Sequence, residues 1–273
     1  MHFSSFYIAS AINSTLIPKI NDQHWNSRLS EGELLVNSDI GLILPTYCEA
    51  ASIEKLVHEI EGLNLNISIL VIDDSSPDHT ADVVRKLQAK YKNIMLLVRP
   101  KKSGLGTAIT DGFKTFLSLE NPPSYIVTMD ADYSHNPADV PAVVSTAKEG
   151  KGLAIGSRYC IGGKVANWSM FRWVISRIAN LVSSFLIGAR IHDYTSGLRC
   201  YSTDLVKQIV NDLHSQTYEI QIETIRQSYR RKFNIRETPI TFVNRKKGKS
   251  KLTINEIKEF IRYILLKVVL KRS

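Results

Sequence analysis

Short apolar runs alternate with amphipathic segments along the chain from residue 39 onward. Runs rich in β-branched and aromatic residues predict buried strands at residues 40–44, 67–72, 94–98, 125–129 and 153–155. Apolar residues at helical spacing follow the first two runs, at positions 53, 56, 57 and 60 and then at 81, 84 and 87. This alternation predicts an α/β fold, with a mostly parallel central sheet, right-handed crossovers and helices on both faces.

The second half of the chain has longer apolar segments. Residues 167–188 predict one helix, and a polar loop at 193–199 separates it from a helix at 204–211. Another helix is expected to begin near Tyr218, and residues 235–243 predict a late strand. Residues 1–38 show no clear period and are interpreted as an N-terminal extension.

Two aspartates follow the predicted strand at 125–129. Asp130 and Asp132 stand at its carboxyl end, which is where an open parallel sheet binds its ligands. Two carboxylates this close repel each other unless a cation or solvent lies between them, and Mg²⁺ and Mn²⁺ prefer oxygen ligands. The motif therefore indicates a clamp for a metal and a diphosphate. Turn-forming aspartates before a helix that starts near Pro137 would give the same pattern.

The loops after the other predicted strands also carry polar residues or glycine. These residues are Glu49, Asp73, Asp74, Gly104 and Gly106. They are expected to line the same sheet edge, where carboxylates could accept hydrogen bonds from a ribose or base and Tyr47 could pack against the base. Residues 73–78 are also typical of a turn, and a glycine pair can either admit a ligand or simply start a helix.

Composition indicates one globular catalytic domain with an appendage. The chain has 273 residues, of which 44% are hydrophobic and 22% charged, and its three cysteines form no CxxC pair, which favours neither a disulfide framework nor a zinc site. The formal net charge is +9, and the last thirty residues hold ten Lys or Arg against two Glu. A basic tail suits nucleic-acid binding, but the acidic sheet edge does not, so no nucleic-acid partner is predicted.

Membrane contact is expected to be peripheral. No run of about 18 uncharged apolar residues occurs, so no membrane-spanning helix is predicted. Residues 253–273 predict a basic amphipathic helix, which could lie in a membrane interface or pack on the domain. The predicted organisation is an extension at 1–38, a catalytic domain at 39–252 and this helix at 253–273.

Three arginines interrupt the apolar region after the fifth predicted strand. They are Arg158, Arg172 and Arg177. The planar fork of arginine suits phosphate, so the group indicates a polyanion site. Charges on the solvated face of a helix explain the same pattern equally well.

Seven motifs occur in an order that is found in a known enzyme family. They are Pro45–Glu49, Asp73–Thr80, Gly104–Ala108, Met129–His135, Gly156–Tyr159, Asp193–Arg199 and Arg245–Lys251. From about Ile40 to Leu252, the chain resembles the dolichyl- or polyprenyl-phosphate mannose synthases, which are inverting family 2 glycosyltransferases with the GT-A fold. The resemblance implies transfer of mannose from GDP-mannose to dolichyl or polyprenyl phosphate with Mg²⁺ or Mn²⁺. It also implies a peripheral enzyme at the cytoplasmic face of a membrane, with a possible small membrane-anchoring partner.

The resemblance implies roles for individual residues. Those matched to the guanosine are Pro45, Tyr47, Glu49, Ile72 and Asp74. Those matched to the donor and metal motif are Asp130, Ala131, Asp132 and Ser134, with Asp130, Asp132 and Ser134 as metal ligands. Those matched to the acceptor phosphate or donor pyrophosphate are Arg158, Arg172 and Ser176, while Arg245 and Lys251 match a loop that closes over the nucleotide. Catalytic roles are implied for Asp132, Arg158, Arg172 and Arg245.

Three positions depart from the family pattern. Cys48, His79 and Asn244 stand where the family usually has Asn, Gly and Asp. The third change removes a negative charge beside Arg245. No general base is assigned, because a phosphate monoester with a second pKa of about 6 is already largely ionised near neutral pH. Two alternatives stay open, which are transfer of glucose or another sugar and a non-catalytic nucleotide-sugar-binding subunit.

Overall fold

The computed structural model describes residues 29–31, 38–244 and Tyr263. Arg245, Lys251 and most of the predicted N-terminal extension lie outside the described residues. The predicted helix at 253–273 also lies outside them, except for Tyr263, which is helical and buried.

Ten strands and seven α-helices lie in the described ranges. The strands are β1 (Leu29–Glu31), β2 (Ile40–Thr46), β3 (Ile67–Asp73), β4 (Ile94–Val98), β5 (Tyr125–Thr128), β6 (Leu153–Ser157), β7 (Lys164–Ala166), β8 (Arg199–Ser202), β9 (Ile235–Pro239) and β10 (Thr241–Val243). The helices are α1 (Ile53–Glu61), α2 (Thr80–Lys90), α3 (Leu105–Leu117), α4 (Val140–Gly150), α5 (Met170–Ile187), α6 (Thr203–Ile209) and α7 (Ile220–Arg230).

Eight strands form one sheet, in the order β1-β4-β3-β2-β5-β8-β6-β9. Neighbours from β4 to β5 are parallel, and so are β6 and β9, whereas β1 and β8 run antiparallel to the strands beside them. The prediction of a mostly parallel sheet is therefore confirmed. The carboxyl ends of β2, β3 and β5 meet at one edge, where parallel sheets bind their ligands.

Each face of the sheet is covered by its own apolar core. In β2, Ile43 packs with the cluster that includes α3, α6 and α7, whereas Leu42 and Leu44 pack with the cluster that includes α1, α2 and α4. Successive side chains of a strand point to opposite faces, which is why the strand is apolar at nearly every position. Burial on both faces holds the strand ends in fixed positions, and the functional loops begin there.

The strand β8 was not predicted. The sequence analysis placed a loop at 193–199 and a helix from 204, but residues 199–202 form a strand that lies between β5 and β6. The charged Arg199 hid this strand, because a buried strand is expected to be apolar. Its side chain is fully buried and donates hydrogen bonds to the carbonyl oxygens of Tyr194, Ser196 and Gln221.

Other boundaries also differ from those predicted. Residues 29–31, inside the predicted extension, pair with β4, and the long helix begins at Met170 rather than at residue 167. The late strand divides into two, because the chain leaves the main sheet after Pro239 and β10 pairs with β7 instead. Proline has no N–H group with which to continue the hydrogen-bond ladder, so Pro239 itself explains why β9 ends there.

The glycines at the start of α3 admit another part of the chain. A Cβ atom at Gly106 would lie 2.3 Å from the carbonyl oxygen of Ser215, and one at Gly104, where φ is +97°, would lie 2.4 Å from that of Gln216. The Gly106 amide also donates a 2.9 Å hydrogen bond to the Gln216 carbonyl. Close packing of chain on chain therefore accounts for this glycine pair without a ligand.

The close approach at Gly106 yields a stability prediction. Gly106→Ala should lower the free energy of unfolding by about 1–3 kcal/mol, because the methyl group would force backbone away from backbone. Gly62→Ala is the matched control, since Gly62 has a helical φ of −63° and its nearest neighbours lie 3.4 Å from an added Cβ. Urea unfolding of both variants measures the difference, and equal midpoints would contradict this account of Gly106.

Candidate active site

The two aspartates lie where the strand pattern placed them. Asp130 stands just beyond β5, whose last ladder bond runs from the Met129 amide to the Ile43 carbonyl at 3.2 Å. The Asp130 side chain is 30% exposed, so its carboxylate reaches the surface of the sheet edge. On its other side lies Gly197, where an added Cβ would come within 2.9 Å of Asp130 Oδ2. The loop before β8 therefore packs directly against the Asp130 carboxylate.

A left-handed residue folds the chain back after Asp132. Tyr133 has a φ of +62°, and the turn lets the Ser134 amide donate a 3.1 Å hydrogen bond to Asp132 Oδ1. Lys55 lies over the Tyr133 ring, with its Nζ 4.8 Å from the ring centroid, and burial together with Glu59 raises the pKa of the Tyr133 hydroxyl. A residue other than glycine is strained at this φ, and packing of the Tyr133 side chain against α1 holds the backbone in this conformation.

The donor set at this turn fits a divalent metal ion. Asp130 and Asp132 provide carboxylate oxygens, and the Ser134 hydroxyl is buried without a hydrogen-bond partner among the described residues. No group of three His, Cys, Asp or Glu side chains within the described ranges could hold a metal by itself. An ion here would need further ligands from substrate or water, which is the usual situation for Mg²⁺ and Mn²⁺ beside a diphosphate.

The two carboxylates at the carboxyl end of β3 are hydrogen-bonded to other groups of the protein. Asp73 accepts hydrogen bonds from the Thr46 hydroxyl at 2.8 Å and from the Ser76 hydroxyl at 2.6 Å and amide at 2.9 Å. Asp74 accepts from Arg99 at 2.5 Å and from the amides of Ser103 and Gly104 at 3.0 and 3.3 Å. Both carboxylates are therefore fixed in place, and together they hold the loops that follow β3 and β4.

A buried arginine that sequence reasoning missed organises this side of the site. Arg99 is 1% exposed, and besides Asp74 it donates to the Thr107 hydroxyl, the Gly104 carbonyl and Asp111 at 2.8, 3.0 and 3.3 Å. The residue directly follows β4, so the rule that identified the other strand-end residues also applies to it. Two acids and several oxygens compensate its charge, as burial of an ion requires.

The other residues matched to the guanosine have different environments. Tyr47 is half-buried, with Lys102 Nζ 4.1 Å from its ring centroid, so one face of the ring is already covered. Glu49 is buried and accepts a 3.0 Å hydrogen bond from the Ser52 hydroxyl. Pro45 is half-buried in β2. The side chains of Ile72 and Ala131 lie in the apolar cores, where they help to shape the sheet edge.

The opposite side of the site is built around an ion pair between Arg158 and Asp193. Arg158 Nε and Nη2 donate to the two carboxylate oxygens at 2.7 Å each, and Nη2 also donates to the Thr195 hydroxyl. Burial alone would raise the pKa of Asp193 and lower that of Arg158. Their mutual attraction outweighs burial, so the pKa of Asp193 is lowered and that of Arg158 raised. Both groups therefore stay charged, with the Arg158 fork held rigidly.

Helix α5 carries the remaining residues of this side. Arg172 Nη1 donates a 2.9 Å hydrogen bond to the Asn244 side chain, and its guanidinium lies 4.4 Å from the Trp168 ring centroid. Ser176 accepts a 2.8 Å hydrogen bond from the Tyr159 hydroxyl. Asn244, at the position that departs from the family pattern, also donates to the Asn167 carbonyl. It thereby joins α5 to the end of β7.

The structure therefore brings together most of the predicted site. Asp130, Asp132 and Ser134 lie on one turn, and the charge of Asp130 raises the pKa of Arg158, which brings the metal motif and the arginine side into electrostatic contact. The supporting partner Asp193 was predicted only as part of a polar loop. Its role could not be identified from spacing, because its partner Arg158 lies 35 residues away in the chain.

Comparison with known proteins agrees with this arrangement. The family profile described as glycosyl transferase family 2 matches residues 42–210. The polyprenol monophosphomannose synthase of Mycolicibacterium smegmatis is 37% identical over 220 residues, which cover 80% of this chain and 82% of that protein. The dolichol-phosphate mannosyltransferase of Pyrococcus furiosus is 34% identical over 229 residues, which cover 82% of this chain and 62% of that protein.

Solved structures share the fold at low sequence identity. The glucosyl-3-phosphoglycerate synthase of Mycobacterium tuberculosis, in complex with Mn²⁺, UDP and glucosyl-3-phosphoglycerate, superposes with a TM-score of 0.62 at 17% identity, covering 86% of this chain and 80% of that one. A mannosyltransferase from Pyrobaculum calidifontis, in complex with GDP-Man and Mn²⁺, gives a TM-score of 0.56 at 15% identity, covering 91% and 68%. With the family match and the relatives above 30% identity, these likenesses lead to one conclusion: the chain belongs to the family 2 glycosyltransferases and has the GT-A arrangement.

Proposed function

We propose that this protein transfers mannose from GDP-mannose to dolichyl or polyprenyl phosphate. The two relatives described above, at 37% and 34% identity, are named for this class of reaction. The observation that carries the proposal within the molecule is helix α5, because one face of it provides Arg172 and Ser176, which the resemblance matches to the phosphates, and another face is apolar and exposed. A lipid phosphate is an acceptor with both of these properties.

The face of α5 that packs on the domain is unusually polar. Its fully buried residues are Asn180, Ser183 and Ile187. Asn180 donates hydrogen bonds to the Ser176 carbonyl at 2.7 Å and to the Thr195 hydroxyl at 3.3 Å, and it accepts one from the Tyr194 amide. These bonds fasten the helix to the loop that holds Asp193. The acceptor residues on α5 and the Arg158 pair are therefore one rigid unit.

The opposite face of α5 is large, apolar and exposed. Met170, Phe171, Leu181 and Phe185 are 72–81% exposed, and Ile178 is 55% exposed. By length and composition α5 is the one helix of the described residues that could span a membrane, although it contains two arginines and was not predicted to do so. Because its polar face is fastened to the domain, we infer that α5 lies along the membrane surface. The enzyme would then be peripheral, at the cytoplasmic face.

Asp130, Asp132 and Ser134 would hold Mg²⁺ or Mn²⁺ together with the donor diphosphate. A bound ion would offset the negative charge that develops on the departing GDP. Asp130 is held between Gly197 and the turn at Tyr133, so it needs no large rearrangement to serve as a ligand. Tyr47, Glu49 and the loop fixed by Asp74 would form the nucleoside side of the site, in line with the family resemblance.

The acceptor phosphate would bind between Arg158 and α5. Asp193 and Thr195 occupy Arg158 Nε and Nη2, and Arg158 Nη1 has no hydrogen-bond partner among the described residues. Arg172, in the first turn of α5, would bind the phosphate directly. An acceptor oxygen that is already ionised can attack the anomeric carbon without a general base, and rigid positioning then supplies much of the catalysis. Inversion follows from a single displacement.

Two alternatives differ in measurable ways. Transfer of glucose or another sugar would use the same clamp with a different nucleotide sugar. A non-catalytic subunit would bind nucleotide sugar and transfer nothing. A small membrane-anchoring partner stays a prediction from the resemblance, and α5 is the surface that would meet it.

The proposed reaction is tested with a panel of labelled nucleotide sugars, polyprenyl phosphate and Mn²⁺. GDP-mannose should give labelled lipid, and Asp132→Asn should reduce the rate by at least ~100-fold, because a neutral amide is a poor ligand for a hard cation. Asp82→Asn, on the exposed face of α2, is the control and should leave the rate unchanged. Transfer from another donor would replace mannose in the proposal, and full activity in EDTA would remove the metal from it.

The role of Arg172 is tested by a charge-conserving substitution. Arg172→Lys should raise the KM for polyprenyl phosphate by roughly 10-fold, because lysine cannot donate two parallel hydrogen bonds to a phosphate. GDP binding should change by less than about twofold if Arg172 contacts the acceptor rather than the donor. Arg190→Lys, an exposed position beyond the end of α5, is the control. Equal weakening of acceptor and GDP binding would reassign Arg172 to the donor pyrophosphate.

The membrane-facing role of α5 is tested by sedimentation with phosphatidylcholine–phosphatidylserine vesicles. Leu181→Gln with Phe185→Gln should weaken binding by at least ~10-fold, because burial of one large apolar side chain contributes about 1.5–3 kcal/mol. Ile161→Gln is the control, since Ile161 is 99% exposed but lies outside α5. Unchanged vesicle binding by the double variant would exclude α5 as the contact surface.

A further inference from the structure

We propose that the buried side chain of His135 supports Asp130 and orients it toward the metal site. This makes His135 a positioning residue for the reaction, and the inference rests on the metal site of the proposed function. His135 was assigned no role in the sequence analysis. It follows directly on the turn that carries Asp130 and Asp132, and its side chain is buried.

The environment of His135 is unusual for a histidine. Its side chain is fully buried, and Nε2 lies 3.4 Å from Asp130 Oδ2. Among the described residues, neither ring nitrogen has a hydrogen-bond partner. A buried polar group without a hydrogen-bond partner destabilises the fold, so an apolar ring would pack better at this position. The polar ring is useful there if a nitrogen acts on Asp130.

The ring is held firmly in place. Its edge meets the Phe242 ring at a centroid distance of 5.0 Å and an interplanar angle of 87°. Phe242 belongs to β10, and the Val243 amide donates a 3.0 Å hydrogen bond to the Ser134 carbonyl. The left-handed backbone at Tyr133 turns the chain so that His135 returns beneath Asp130. The geometry therefore fixes the direction from which Nε2 approaches the carboxylate.

The consequence for Asp130 is geometric. Gly197 limits the carboxylate on one side, and His135 Nε2 approaches Oδ2 at slightly more than hydrogen-bond distance. A shift of a few tenths of an ångström would complete an N–H···O bond to Oδ2, which would fix the rotation of the carboxylate as it binds a cation. Partners that hold the ligands of a metal typically change affinity or activity by about 10–100-fold when removed.

The test measures Mn²⁺ binding directly, by electron paramagnetic resonance of free Mn²⁺ in the presence of GDP, together with urea unfolding. His135→Phe should raise the Mn²⁺ dissociation constant by ~10–100-fold, and His135→Gln should recover part of that loss, because its amide can donate to Asp130. His214→Phe, at an exposed histidine on the loop before α7, is the control and should match the wild type.

A double variant separates positioning from packing. If His135 acts through Asp130, then His135→Phe should weaken Mn²⁺ binding no further in an Asp130→Asn background. Additive losses, or a His135→Phe protein with wild-type Mn²⁺ affinity, would overturn the proposal. The proposal would also be overturned if His135→Phe and His135→Gln lost Mn²⁺ affinity equally and in proportion to their loss of stability. If His135→Phe does not fold, His135→Leu takes its place, and normal Mn²⁺ affinity in that variant would overturn the proposal.

Measurements on the wild-type protein distinguish a failure of the His135 proposal from a failure of the proposed function. Wild-type protein that binds no Mn²⁺ with either GDP or UDP would overturn the metal site and the support together. Mannosyl transfer under the same conditions would still be measured by the donor panel. A normal wild type with unaffected His135 variants overturns the support alone.

Discussion

One buried carboxylate holds together the side of the site that we assign to the acceptor. Asp193 accepts two hydrogen bonds from the Arg158 side chain, one from the Arg158 amide at 2.9 Å, and one each from the amides of Thr195 and Ser196 at 3.1 Å. Through these bonds the end of β6 is fixed to the loop before β8. That loop contains Gly197, which lies against Asp130, so the ion pair also positions the metal motif. Removal of Asp193 would leave the Arg158 cation buried without a carboxylate partner, which destabilises a fold far more than the loss of a partner at the surface.

The charge balance behind the site favours anions. Arg199 is fully buried and donates hydrogen bonds to carbonyl oxygens and a hydroxyl, whereas Arg158 is paired with the Asp193 carboxylate. Burial lowers the pKa of Arg199, and Tyr201 and then Asp193 partly offset this, but a guanidinium stays protonated at neutral pH. Of these two buried arginines, only Arg158 is hydrogen-bonded to a carboxylate. The remaining positive charge acts on the site through a low-dielectric interior, where its field is weakly screened. An anionic acceptor and a departing diphosphate would both be stabilised by it.

The sequence was sufficient for features that depend on local periodicity. Alternating strands and helices predicted the sheet, and the end of β5 predicted where Asp130 and Asp132 would lie. It was insufficient where distant residues satisfy one another. Arg199 made β8 look like a loop because its carbonyl partners are spread over residues 194–221. The glycines at 104 and 106 left a ligand approach and a helix start equally open, because the chain at 215–217 that fills the space beside them is distant in sequence. Asp74 was recognised as a site residue, but Arg99, the group that holds it, was not.

Helix α5 shows why amphipathic periodicity alone does not reveal which face of a helix is buried. The period predicted a helix correctly, and an ordinary domain helix would bury its large apolar face and expose its polar one. Here the fixed polar residues Asn180 and Ser183 point inward, where Thr195 and Tyr194 provide the partners that Asn180 needs. Phe185 and Leu181 are consequently left outside. A buried side-chain amide such as that of Asn180 is stable only where matching hydrogen-bond groups exist, and a large outward apolar face favours a non-aqueous neighbour. The active-site loop supplies the first condition, and a membrane that carries the acceptor would supply the second.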